Sequence, residues 1–177
     1  MFPILKFIPQ FKSVLWGGKR IASYKGLSSQ GDNIGESWEL SCVPGHESVV
    51  TEGSFKGKNL HEIMLTDAKE ILGERLLKRY GTEFPLLIKL IDSADDLSIQ
   101  VHPDDNLAAK RHHCPGKTEM WVSIAPADGA YLYSGFNRVI SAEEYRNRIA
   151  NNTIVDTLGQ YHPQKGDVFF LPAGRVH

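Results

Sequence analysis

Apolar positions recur along this chain at two spacings. From Leu60 to Tyr80 the residues Ile63, Met64, Ile71, Leu72, Leu76, Leu77 and Tyr80 fall at near-helical intervals, and Gly81 follows as a natural stop. This predicts one broken helix or two. A second helix is marked by its start: Ser141 as cap, Glu144 three residues on as a capping box, and Ile140 with Tyr145 placed for a hydrophobic staple. It is expected to run to about Ile149. The remaining apolar runs are short, branched or aromatic, and bounded by Gly, Pro, Asp or Asn: Ser37–Val43, Leu86–Ile91, Leu97–His102, Met120–Ile124, Tyr131–Tyr133 and Val168–Leu171. Met1–Pro9 is apolar but broken by two prolines, which suits a first strand or an extended lead-in. Together these predict an antiparallel β-sandwich or barrel with helical additions and no internal repeat.

Three polar interruptions of that pattern carry chemistry. In Leu97–His102 the period of two sends Ser98, Gln100 and His102 to one face and Leu97, Ile99 and Val101 to the other. A polar face inside an apolar sheet is costly unless its groups are satisfied, and a metal ion would satisfy an amide oxygen and an imidazole together. By the same rule Lys117, Glu119 and Trp121 share a face, which offers a carboxylate with a cation beside it. Arg175 and His177 share a face beyond the turn Pro172-Ala-Gly174. Taken singly, each of these residues has an ordinary alternative as a hydrogen-bonded strand histidine or a solvated charge.

Composition narrows the partners. With 177 residues, of which 41% are hydrophobic, the chain can bury one good core, and one domain is expected. Twenty basic against 21 acidic residues leave a formal net charge of −1, so no charge excess recruits nucleic acid or an anionic membrane, and a small molecule is the default partner. Cys42 and Cys114 have neither metal-ligand spacing nor the look of a disulfide framework, which suits the cytoplasm. The apolar start is too short for an export signal and far too short for a membrane span.

The last twelve residues are more specific. Gly166, five residues, Pro172-Ala-Gly174, two residues and His177 match the second signature of the cupin barrels, with Gln100-x-His102 standing where the first signature usually has two histidines. Phe84-Pro-Leu-Leu-Ile-Lys-Leu-Ile-Asp92, Leu97-Ser-Ile-Gln-Val-His-Pro-Asp-Asp105 and Gly116-Lys-Thr-Glu-Met-Trp121 closely resemble the hallmark of type I mannose-6-phosphate isomerases. Leu15-Trp-Gly-Gly18 and Gly35-Glu-Ser-Trp-Glu-Leu-Ser41 fit the same family, so the resemblance runs from about Leu15 to His177.

That resemblance implies a cupin-type jelly-roll barrel of antiparallel strands. It implies a metal, usually zinc with other divalent ions suited to the same donors, held by residues matching Gln100, His102, Glu119 and His177. The implied reaction interconverts D-mannose 6-phosphate and D-fructose 6-phosphate by proton transfer through an enediol-type intermediate, so the expected partner is a small phosphosugar. Lys117 is the first candidate for an acid–base or charge-stabilising role, against a plain ion pair with Glu119. Arg175 is a second candidate, against a surface position, and Ser98 joins Lys117 as a candidate substrate contact. Trp16, Gly17, Gly18, Glu36 and Trp38 are expected in a tight turn and core packing, and His112, His113 and Cys114 on the surface. Family members continue beyond the position of His177, so residues 1–177 are expected to form the N-terminal metal-binding domain of a longer isomerase, with an incomplete barrel. A non-catalytic metal- or sugar-phosphate-binding module is the main alternative. A cupin oxygenase is a weaker one, since Gln100 replaces a histidine.

Overall fold

A computed structural model describes residues 2–28 and 31–177. Its contacts cluster into two compact units, Met1–Leu97 and Ser98–His177. Met1 lies outside the described residues, so the expected first strand is described from Phe2 onward; there Phe7 alone forms a bridge, to Val50, and the rest is extended lead-in.

The first unit joins one sheet to one long helix. Its elements are β1 (Gln10–Gly18), α1 (Arg20–Tyr24), β2 (Ile34–Leu40), α2 (Leu60–Tyr80) and β3 (Ile88–Ile91), with the sheet ordered β1-β2-β3 and both pairings antiparallel. β2 lies three residues earlier than the run that predicted it, and β3 is the later part of Leu86–Ile91. Asn59 caps α2 through a reciprocal capping box with Glu62. The predicted break falls at Asp67 and at Gly73, whose φ of 70° and ψ of 168° leave helical space, and Gly81 closes the helix. Leu60, Met64 and Ala68 on the first half of α2 form the core, packed by Phe7, Leu40, Cys42, Ile71, Leu72, Leu77 and Phe84. Each buried Leu or Met there contributes about 1.5–3 kcal/mol.

The second unit carries α3 (Asp105–His112), β4 (Glu119–Val122), β5 (Leu132–Phe136), α4 (Ala142–Ala150), a 3-10 turn (Ile154–Thr157), β6 (Leu158–Tyr161) and β7 (Val168–Leu171). β4 pairs with β7 and β5 with β6, both antiparallel. β7 matches its predicted run in full. The predicted strand Leu97–His102 is reduced to a pairing of Gln100–His102 with the last residues of the chain, through the bridge Val101–Val176. The architecture is thus mainly β, with antiparallel pairing and a few helices, and among the described residues the strands do not close a barrel.

One helix is unannounced and one local expectation changes. Asp104 accepts from the Leu107 amide and starts α3, His112 sits in its last turn and His113 ends it at φ 56°, and both are exposed with Cys114 as expected. At α4, Ser141 accepts from the Glu144 amide as predicted, but the Glu144 carboxylate is taken by Arg138 and Arg148, and the Tyr145 ring faces Phe136.

Candidate metal centre

The turn after β7 brings the end of the chain back beside β4. β4 and β7 pair Glu119 with Leu171, after which the Arg175 amide donates to the Pro172 carbonyl and Ala173 is held by Thr118 Oγ1. The chain then runs antiparallel to Gln100–His102. Gln100 and His177 exchange both backbone hydrogen bonds, at 2.7 and 3.0 Å, and the Gly174 amide donates to the His102 carbonyl at 2.8 Å. On its other side the same segment is held by the Gly135 amide, which donates to the Val176 carbonyl at 2.8 Å. The His177 segment is therefore hydrogen-bonded along both edges, which rigidifies it before any side chain is considered.

A close approach on the far side sets Lys117. A Cβ on Gly116 would stand 2.4 Å from backbone atoms of Asp104 and Asp105, so only glycine lets this segment lie against the start of α3. The Gly116 amide donates to Asp105 Oδ1 and the Lys117 amide to the Pro103 carbonyl. Lys117 is thereby delivered next to His102.

His102, Glu119 and His177 offer ligand atoms that all lie within 4.8 Å of one another. Glu119 Oε2 is 3.2 Å from His177 Nε2 and 3.7 Å from His102 Nε2. Lys117 Nζ is 2.5 Å from Glu119 Oε1 and 3.1 Å from His102 Nε2. Proton positions follow from the partners. A carbonyl oxygen only accepts, so the 3.0 Å contact between His177 Nδ1 and the Arg175 carbonyl places the proton on Nδ1. An ammonium only donates, so Lys117 requires a lone pair on His102 Nε2. Both imidazoles then turn unprotonated Nε2 atoms toward one carboxylate. His177 Nε2 is buried and makes no hydrogen bond.

Lone pairs converging on a carboxylate call for a cation, and two imidazoles with one carboxylate form a donor set that suits a divalent ion. The Nδ1–H to carbonyl bond is the outer contact that commonly fixes a ligating ring. The Glu119 carboxyl is held below its ordinary value: burial by itself pushes it up, but the hydrogen bond and charge of Lys117, with the smaller electrostatic pull of the neighbouring His102 and His177, outweigh it. It is an anion at neutral pH. Trp121 packs edge-on against the His177 ring at 5.4 Å, and the two imidazoles lie 5.2 Å apart.

Of the residues singled out from sequence, His102, Glu119, His177 and Lys117 come together. Gln100 joins them through its backbone pairing. Ser98 is exposed and outside this cluster. Arg175 contributes its carbonyl to the cluster, while its guanidinium goes to Ser134 on β5. In the first unit, Gly17 and Gly18 end β1 in close packing, and Glu36 binds both Trp38 Nε1 and Lys89 Nζ at 2.7 Å. Sequence reasoning missed the Arg175 carbonyl, Thr118 and Ser134, because each acts through a contact between strands that no spacing announces. Trp121 was placed on the right face without a role.

Comparison with known proteins identifies the family and the fold. The chain is 34% identical over 168 residues to the mannose-6-phosphate isomerase of Streptococcus mutans, covering 95% of this chain and 51% of that protein. It is 36% identical over 170 residues to the probable mannose-6-phosphate isomerase GmuF of Bacillus subtilis, covering 96% and 52%. The chain thus spans about half the length of the curated relatives it matches. The crystal structure of the Bacillus subtilis mannose 6-phosphate isomerase superposes with a TM-score of 0.88 at 33% identity, covering 98% of this chain and 54% of that one. The family described as phosphomannose isomerase type I, catalytic domain, matches residues 4–130, and with the fold and the convergent ligand atoms this places the chain in the type I phosphomannose isomerase family.

Proposed function

We propose that this chain is the N-terminal metal-binding part of an isomerase that interconverts D-mannose 6-phosphate and D-fructose 6-phosphate. The observation that carries the reading is the convergence of two imidazole Nε2 atoms on Glu119, with the buried Nε2 of His177 lacking a hydrogen-bond partner. His102, Glu119 and His177 would hold the ion, and Gln100, opposite His177, would add an amide oxygen. Zinc is the ion of choice for this donor set, with other divalent ions able to replace it. When bound, it supplies Lewis-acid polarisation of sugar oxygens.

The chain's own residues supply the rest. Moving a proton between C2 and C1 of an open-chain sugar develops negative charge on the adjacent oxygens, so a fixed cation beside the reacting carbons lowers the barrier. Lys117 fits that role. Its side chain is 43% exposed, and the ion pair with Glu119 holds the ammonium beside the ligand atoms. The plain ion pair and the catalytic role are therefore two aspects of one placement. The Lys117 ammonium lies 3.1 Å from His102 Nε2, and an ion bound by that lone pair would leave Lys117 paired with Glu119 and free to turn toward substrate. A cytoplasmic address accords with two free cysteines, and no helix among the described residues is long and apolar enough to cross a membrane.

A coupled assay for fructose 6-phosphate, run on this chain and on a polypeptide extended to the length of the relatives, tests the reading alongside metal analysis. Turnover in the longer form with stoichiometric metal is expected. Absence of turnover in both, despite full metal occupancy, would favour a non-catalytic metal- or sugar-phosphate-binding module instead.

A further inference from the structure

Arg175 is a cation that the fold places but does not neutralise. Among the described residues no carboxylate pairs with it, and its side chain is exposed. What holds it is β5. Nη1 lies 3.4 Å from Ser134 Oγ, a long contact that steers the group more than it satisfies it, and Ser134 is only 7% exposed. The next residue, Gly135, has φ 73°, and a Cβ there would stand 3.0 Å from the same Nη1. Any other residue at 135 is strained and also presses on the guanidinium. The pairing of β5 with β6 shifts register between Tyr133 and Phe136, so this is a bulge, a feature that commonly re-aims a side chain.

The bulge is also tied to the metal centre. The Gly135 amide holds the Val176 carbonyl at 2.8 Å, and the Arg175 carbonyl receives His177 Nδ1. In the extended segment Arg175-Val176-His177, alternation puts the guanidinium and the imidazole on the same side. A guanidinium fixed at one nitrogen, unpaired with any acid, and one alternation step from the candidate ligand presents its other donors in the planar fork that matches a phosphate.

We propose that Arg175, aimed by the Ser134–Gly135 bulge, recognises a phosphate monoester, and that Ser134 and Gly135 are positioning residues that act through it. This rests on the isomerase reading for the identity of the anion, the phosphate of the sugar substrate. The test is calorimetric titration of the metal-loaded chain with inorganic phosphate, with metal content measured on every variant. Arg175→Ala lowers phosphate affinity by roughly tenfold, the loss of one charge-assisted contact, at unchanged metal content. Phosphate affinity unchanged by that substitution overturns the proposal. Gly135→Ala weakens phosphate binding when Arg175 is present and adds nothing in the Arg175→Ala background; a further loss in that background overturns the positioning role. Should Gly135→Ala fail to fold, Ser134→Ala carries the same cycle. The two readings fail separately. Arg175-dependent phosphate binding without turnover in any longer form supports this proposal while sinking the isomerase, whereas turnover with phosphate binding indifferent to Arg175 sinks this proposal alone.

Discussion

Gln100 and His177 lie directly opposite each other and exchange both backbone hydrogen bonds, at 2.7 and 3.0 Å. In such a pair the two side chains emerge on the same side of the ladder, about 5.5 Å apart at Cα. Two positions 77 residues apart in number are thereby brought into register without help from their side chains. Glu119 arrives separately, on β4, and the Pro172-Ala-Gly174 turn links the two arrangements. The ligand atoms are thus presented by three segments whose backbones are already hydrogen-bonded to one another.

Removal of one imidazole should empty the centre. His102→Ala is expected to weaken zinc retention by more than about 100-fold, since losing an outer contact alone costs roughly 10–100-fold. Gln100→Ala should cost less, because water can replace a neutral amide oxygen. Competition with a chromogenic chelator measures both, and metal content unaffected by His102→Ala would refute the ligand set.

Lys117 sets the acid behaviour of the metal-free protein. The Glu119 carboxyl lies below its ordinary value, so its contribution to stability is fully present above the unfolded carboxyl value of about 4.3 and is lost as pH falls through the lower folded value. Lys117→Gln removes the two largest lowering influences and leaves burial, which raises it, opposed only by the smaller pull of His102 and His177. In chelator-treated protein the acid-unfolding midpoint should therefore move to higher pH, as followed by circular dichroism. A midpoint that stays put or falls would show that Lys117 does not control Glu119.

Periodicity revealed α2 together with its break, because Gly73 and Gly81 are residues whose backbone preferences act locally. It revealed β7 for the same reason: its boundaries are a glycine turn and a proline. The metal-binding candidates were legible as a face, from alternation in Gln100-x-His102 and in Lys117-x-Glu119. What periodicity did not reveal was decided by contacts between segments. β6 has too few apolar residues to stand out and exists through its pairing with β5. α3 has an apolar content too low for a helical stripe and is set by the Asp104 cap and by Gly116 lying against its first turn. Arg175 and His177 share a face as alternation requires, but the contact of the guanidinium with Ser134 depends on the bulge at Gly135, and a bulge leaves no trace in a period of two.

The packing at the end of β1 gives a stability prediction. Asp92 is 5% exposed, and its carboxylate accepts from the Arg20 amide at 2.8 Å and from Arg20 Nε at 2.7 Å. A Cβ on Gly18 would stand 2.0 Å from Asp92 Oδ2, so Gly18→Ala must displace a carboxylate that already has its partners. The expected cost is about 1–3 kcal/mol in urea unfolding. Asp92→Gly should relieve that clash and make Gly18→Ala nearly neutral in its background. Full additivity of the two substitutions would show that the steric conflict lies elsewhere.

The two cysteines should separate cleanly by thiol labelling. Cys114 is exposed in the loop before β4, whereas Cys42 is partly buried beside the core of the first unit. Burial pushes the Cys42 thiol up, the charge of Glu83 adds to it, and the Phe84 amide only partly offsets them. Since the thiolate is the nucleophile, Cys42 should react slowly at neutral pH. Its rate should keep climbing with pH beyond about 8.5, where that of an unfolded thiol levels off. The buried neutral thiol contributes stability that is present below the unfolded value and is lost as pH rises through the higher folded one. Glu83→Gln should therefore bring the Cys42 rate profile to lower pH while leaving Cys114 unchanged, as read by stopped-flow with a disulfide reagent. Equal rates for both cysteines in the folded protein would contradict the burial of Cys42 against α2.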